Sequence, residues 1–197
     1  MRINEEVKIE IRTLQAEGKL DEALKKLRML RMKCEKYKSL TDEFFINHCL
    51  AWHYFRDKES IELCKYYLKL NERLFNTEQT KRYNEHEYYK WLWLNTEVYK
   101  EEITNDEYCR NFMLIHHFYT KIGDERFSYG ALENIVFRNG NDDEIIEFMK
   151  DIIEELGTSH RLVIDMVADC KKKSDYVYIK VSEKIKELSP NKDKVII

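Results

Sequence analysis

"EGKLDEALKKLRML", residues 17–30, decides the fold. Gly18 closes one helical pattern. Asp21-Glu22-Ala23 opens another, and Leu20, Ala23, Leu24, Leu27, Leu30 and Cys34 recur at gaps of three and four. That spacing gathers the apolar side chains on one face of a helix. The stretch therefore reads as the turn and second helix of a helical hairpin. A single hairpin cannot bury its apolar face, whereas a series of them can stack into a continuous core. Whether the unit recurs is thus the first question.

It does recur. With "DEALKKLRMLRM" (21–32) as template and Ala23 at the small, tightly packed position, four further segments align. "KESIELCKYYLKL" (58–70) places Ser60 there, and "DEYCRNFMLIHH" (106–117) places Tyr108. "DEIIEFMKDIIEEL" (143–156) and "DYVYIKVSEKIKELSP" (175–190) place Ile145 and Tyr178. The steps are 37, 48, 37 and 33 residues. Each copy is preceded by another amphipathic segment, at about 3–17, 41–56, 78–100, 125–138 and 158–172. Breaks fall at Gly18, Thr41-Asp42, Thr104-Asn105-Asp106, Gly123-Asp124, Gly140-Asn141-Asp142, Gly157-Thr158-Ser159 and Ser189-Pro190. No segment of strand period competes. The expectation is an all-α protein of five antiparallel helical hairpins, forming one domain over residues 1–189 with a short tail, 190–197.

Composition agrees. The 197 residues include 5 Gly and 1 Pro, few breakers for so long a chain. Aromatics at 13% offset the 36% of charged residues and argue for a packed core rather than disorder. The net charge of −3 gives no global field for nucleic acid. Charge is uneven, however. Residues 25–38, "KKLRMLRMKCEKYK", carry seven bases and one acid, while 142–155, "DDEIIEFMKDIIEE", are acid-rich with Lys150 the sole base. These runs read first as solvated helix faces, then as a basic surface for an acidic partner or nucleic acid, or as complementary faces for head-to-tail self-association. The 5 Cys, scattered and without a Cys-x-x-Cys pair, suit a reducing compartment. "MRINEEVKIEIRTLQ" has no apolar signal core, and "FMLI" is too short to span a bilayer. A soluble, cytoplasmic protein is expected, with no membrane partner.

The pattern resembles the tetratricopeptide family in degenerate form. The likeness is strongest at "AEGKLDEALKKL" and at "IKELSP", where Pro190 takes the family's closing-proline position. Tyr108, Ile145 and Tyr178 depart from the small residue of that family, and the 48-residue step breaks its register at the third hairpin. The resemblance implies a right-handed solenoid. More loosely, the chain is similar to the ligand-sensing domains of bacterial peptide-pheromone regulators, which implies a regulatory or adaptor role without their effector module.

Candidate chemistry is sparse. In "CRNFMLIHHFY" (109–119), Arg110 and His116 match the Arg-x(4–6)-His spacing of HEPN-type ribonucleases. That resemblance implies His as acid/base and Arg as phosphate holder, without a metal. The competing reading makes both residues the edge of a packed helix. Cys49 and His53 share a face and His48 and Cys64 are near in sequence, but no complete ligand set can be read, and packing explains them. No phosphate loop, nucleophile elbow or cofactor motif is present. The chain reads as a binding protein rather than an enzyme, with metal-free ribonuclease and nucleic-acid binder as the alternatives.

The aromatic segments "NEHEYYKWLWLNTEVY" (84–99) and "INHCLAWHYF" (46–55) are the better lead, since Tyr and Trp join an apolar body to a polar tip. In stacked hairpins the first helices line the concave side. Family register puts Arg12 and Gln15 there from the first hairpin, Phe45, Cys49 and Trp52 from the second, Lys90, Trp93 and Glu97 from the third, and Phe127, Asn134 and Phe137 from the fourth. Aromatic walls with Arg, Gln, Asn and Lys suit an extended peptide or protein tail.

Overall fold

The computed structural model describes residues 3–37, 39–56, 60–75 and 85–188, with side chains left out at 35–37. Among these residues it is all α-helical, with ten helices and no strand. They are α1 (Glu5–Ala16), α2 (Leu20–Tyr37), α3 (Leu40–Arg56), α4 (Ile61–Phe75), α5 (Glu85–Val98), α6 (Asn105–Ile122), α7 (Glu125–Asn139), α8 (Asp142–Leu156), α9 (Arg161–Lys173) and α10 (Asp175–Leu188). Each sits where the sequence periodicity places one. Residues 78–84 of the expected third first-helix, Lys38 of the basic run, Pro190 and the tail lie outside the described residues.

Turn chemistry explains the boundaries. Gly18, Gly123 and Gly157 take φ of 75°, 74° and 84°, the left-handed region where a side chain is costly. Asn4, Asp124, Asn141 and His160 cap the helices that follow them. At Asn141 the cap is reciprocal: its side chain accepts from Glu144 N–H, and Glu144 accepts from Asn141 N–H at 2.8 Å.

The chain forms two compact units, Met1–Thr104 and Asn105–Ile197. The division falls in the turn of the third expected hairpin, so α5 and α6 belong to different units. In the first unit α1 packs on α2, α2 on α3, α3 on α4, and α5 on both α3 and α4. Ala23, the template's small position, is fully buried beside buried Ile11 and Leu27. Phe44, Phe75, Tyr88 and Trp91 form an aromatic cluster, with Phe75 meeting Phe44 edge-on at 4.5 Å and Tyr88 edge-on at 5.1 Å. In the second unit α6 packs on α7, α9 on α10, and α8 beside α10. Across α8, α9 and α10 its core is aliphatic, where Ile145, Met149 and Ile153 of α8 meet Val163, Met166 and Cys170 of α9 and Val177, Val181 and Ile185 of α10, while α6 buries Tyr108, Phe112, Phe118 and Tyr119. Gaps of three and four carry that stripe along each helix.

Candidate functional site

Two of the first unit's polar anomalies lie where α1, α3 and α5 meet. Phe45 of α3 is only 3% exposed. Two cations cover its ring, the Lys8 ammonium at 5.7 Å and the Arg12 guanidinium at 5.3 Å from the centroid. Arg12 also reaches across to α5, where its Nη2 lies 3.3 Å from Glu87 Oε1. The same oxygen lies 3.6 Å from Lys90 Nζ, one turn further along α5. Gln15 Nε2 donates to the Cys49 carbonyl at 2.9 Å, and Arg56 donates to the Gln15 carbonyl at 2.5 Å. Three helices are thus tied by one carboxylate, four cations and an amide.

Beneath this rim lie two unpartnered polar atoms. His48 Nδ1 and Glu87 Oε2 are buried without a hydrogen-bond partner among the described residues. A buried polar atom left unsatisfied costs free energy, so such a pair calls for an account. Burial pushes the His48 imidazole down to about 4, against a smaller upward pull from Glu87. For Glu87, burial works to raise the carboxyl, but Lys90, His48, Arg12 and His86 together hold it below the ordinary range. Burial, opposed by Glu87, lowers the Lys90 ammonium. At neutral pH His48 is neutral and the Glu87 carboxylate faces the two cations Arg12 and Lys90, so that group of three carries one net positive charge.

Of the residues that family register assigns to a groove, Arg12, Gln15, Phe45 and Lys90 come together here. Phe45 is floor rather than open wall, because Lys8 and Arg12 cover it. Trp52 is half-buried and packs edge-on against Phe55 at 5.6 Å, and Trp93 is half-buried on α5. Phe127, Asn134 and Phe137 stand on α7 of the second unit. Phe127 stacks on buried Tyr119 at 4.7 Å, Asn134 Nδ2 donates to the Gly130 carbonyl of its own helix at 2.8 Å, and Phe137 packs against the aliphatic core. Sequence reasoning missed Lys8, His48 and Glu87 as members of the junction. Glu87 was open to discovery through its i,i+3 spacing to Lys90. His48 was not, because nothing in its local pattern marks it as the buried polar residue under a charged rim.

The other candidates are distributed differently. Arg110 is exposed on α6. His116, six residues on, points about 120° away around the helix axis, by 100° per residue. Its Nδ1 lies 2.9 Å from Ser128 Oγ, which is 2.7 Å from Thr120 Oγ1. Arg110 and His116 therefore do not converge on one point of α6. Burial raises the Cys49 and Cys64 thiols to about 12, so they stay protonated at neutral pH and are poor metal ligands or nucleophiles. Among the described residues no three His, Cys, Asp or Glu side chains gather as a metal would require. No described helix is long and apolar enough to cross a membrane.

Comparison with family models, with curated proteins and with solved structures finds no match to this chain. Its function is therefore argued from its own residues.

Proposed function

We propose that this chain is a tetratricopeptide-like interaction module, a right-handed stack of helical hairpins in a regulatory or adaptor role, that holds a peptide or protein segment. The junction of α1, α3 and α5 is its anchor. One observation carries the reading. Arg12, Glu87 and Lys90 form a half-buried ionic rim over two buried polar atoms, His48 Nδ1 and Glu87 Oε2, that the protein leaves unpaired. Structural packing alone would favour apolar residues there, since buried ion pairs contribute little net stability. A ligand carboxylate fits the surplus positive charge, with Arg12 and Lys90 as donors. The half-buried rings of Trp52 and Trp93 supply amphipathic contact area for the rest of the segment. A cytoplasmic setting accords with the unpaired cysteines.

The test is selection from a displayed random-peptide library on the full chain, followed by calorimetric titration of enriched synthetic peptides. Arg12→Ala with Lys90→Ala should weaken binding roughly tenfold to a hundredfold, the range expected for charged hydrogen bonds of about 1.5–3 kcal/mol. The melting temperature should move by only a few degrees. Peptides that bind the double variant as tightly as the parent would remove the junction from the function.

A further inference from the structure

The two charged runs of the sequence become two well-defined faces in the structure. On α2, Ala23, Leu27 and Cys34 point into the first unit. The opposite stripe holds Lys25, Arg28, Met29, Met32 and Lys33, all exposed. Met29 is 49% and Met32 68% open to solvent, an unusual outlay of apolar surface among cations. Neighbouring bases on the same helix are already engaged: Lys26 pairs with Glu10 at 2.5 Å, and Arg31 lies 5.1 Å from the Tyr67 ring centroid.

The second unit carries a face of opposite sign. On α8, Ile145, Met149 and Ile152 face inward, while Asp143, Glu144, Glu147, Asp151, Glu154 and Glu155 face solvent. Helix α10 lies alongside in parallel register. Ser174 Oγ donates to Asp142 Oδ2 at 3.1 Å near one end, and Lys184 Nζ lies 2.6 Å from Glu154 Oε1 near the other. That register brings the exposed Tyr176 and Ile179 of α10 level with the acids of α8's first two turns. Tyr176 and Ile179 thus stand exposed at that height on α10, beside Lys180, which pairs with Glu183 at 2.9 Å.

We infer that the α2 face of one copy of this chain docks on the α8–α10 face of a second copy. The charges are complementary, and both stripes follow the three- and four-residue spacing that lets helices pack side by side. Met29 and Met32 have flexible thioethers suited to an irregular aromatic and aliphatic counterpart such as Tyr176 and Ile179. The contact is heterologous, because the two faces lie on different helices. Its charges are rim-like and solvated, so they set pairing and salt sensitivity more than raw affinity.

Charge reversal tests this cleanly. One variant carries Lys25→Glu, Arg28→Glu and Lys33→Glu; the other carries Asp143→Lys, Glu147→Lys, Asp151→Lys and Glu155→Lys, which leaves Glu144 and Glu154 as the acids of that face and turns it basic. All seven sites are exposed, and parent-like melting confirms that both variants fold. Sedimentation velocity of the parent at about 0.01 M salt, where the Debye length is about 30 Å, should show mass rising with concentration. At about 1 M salt, with a Debye length of about 3 Å, it should fall to the monomer. Each variant alone should stay monomeric at low salt, while an equimolar mixture should associate, because every α2–α8 encounter between unlike copies again joins opposite charges. A third variant, Met29→Ser with Met32→Ser, keeps the charge and should weaken association at least severalfold. A parent that remains monomeric at low salt, or a mixture that stays monomeric, overturns the proposal. So does a monomeric parent that binds RNA or anionic vesicles through Lys25, Arg28 and Lys33, which would give the face to a polyanion.

Discussion

Helices α3 and α8 show two ways of burying a helix. In α8 the inward stripe is Ile145, Ile146, Met149, Ile152 and Ile153, and the outward face is acidic. Its sequence says where each side chain goes. In α3 nearly every residue from Asp42 to Tyr54 is buried, including Asp42, Asn47, His48 and His53. A helix covered on all sides needs no polar residue for solubility, so its polar residues need another reason. Some have structural ones: Asp42 Oδ2 accepts from Ile3 N–H at 3.0 Å. His48 stacks its ring on Phe44 at 6.1 Å, but its Nδ1 is buried without a hydrogen-bond partner among the described residues. Both units give up some core positions to polar groups, Glu133 of the second among them, but the first gathers four buried polar residues on the single helix α3, and it is the first that holds the proposed site.

The steepest test of that contrast strikes the packing itself. Ala23→Arg places a long charged side chain where Ala23 is fully buried. Overpacking and charge burial together should cost roughly 3–5 kcal/mol, enough to melt the first unit at ordinary temperatures. Thermal unfolding followed by circular dichroism measures it. A variant that melts like the parent would mean that the α1–α2 hairpin is not the tight element described.

That hairpin was also the most legible part of the sequence, for the same reason. Leu20, Ala23, Leu27 and Cys34 alternate with charges, so period and face can both be read. The last helix was legible in part: of its periodic Tyr178, Val181, Ile185 and Leu188, Val181 and Ile185 are buried, whereas Leu188 is exposed and Val177 takes the inward place expected of Tyr178. In α3 and α5 the period fades, because aromatic and polar residues occupy every face and neighbours cover them all. Helix positions survived this; side-chain roles did not. Phe45 reads as a groove wall by register, yet becomes a floor once Lys8 and Arg12 fold over it. The link from Arg12 to Glu87 spans 75 residues, and no local pattern encodes it.

A smaller effect separates the units by pH. The His48 imidazole, neutral in the fold with its pKa near 4, regains its ordinary basicity on unfolding. Between about 6.5 and 4 the unfolded chain therefore binds a proton that the folded one refuses. Stability is full above 6.5 and falls as the pH drops, by up to roughly 3 kcal/mol. Glu133 of the second unit runs the other way. Burial and the nearby Asp169 and Asp165, against Lys172, raise its carboxyl to about 8. The folded chain keeps a proton that the unfolded one releases above the ordinary value of 4.5, so stability falls as pH rises from about 4.5 to 8. Partial exposure limits this to on the order of 1 kcal/mol. Urea titrations at about pH 5 and pH 8 should show that His48→Gln removes the acid-side loss and Glu133→Gln the alkaline-side loss. The same slope in both variants as in the parent would dissolve the distinction.

The smallest effect is the sharpest about function. Asn134 has the chemistry to read a peptide backbone, and family register places it in a groove. In the fold its amide donates to the Gly130 carbonyl one turn back on α7, a bond that competes with the helix instead of bracing another element. Alanine removes that competition and is the better helix former, so Asn134→Ala should change stability by no more than about 0.5 kcal/mol. Peptides selected on the parent should bind it with unchanged affinity, because the anchor lies on α1, α3 and α5. Calorimetric titration beside the Arg12→Ala, Lys90→Ala variant makes the comparison direct. If Asn134→Ala instead loses binding at constant melting temperature, the second unit shares in recognition. The division between a packing unit and a binding unit would then fail at the residue where it is most exposed.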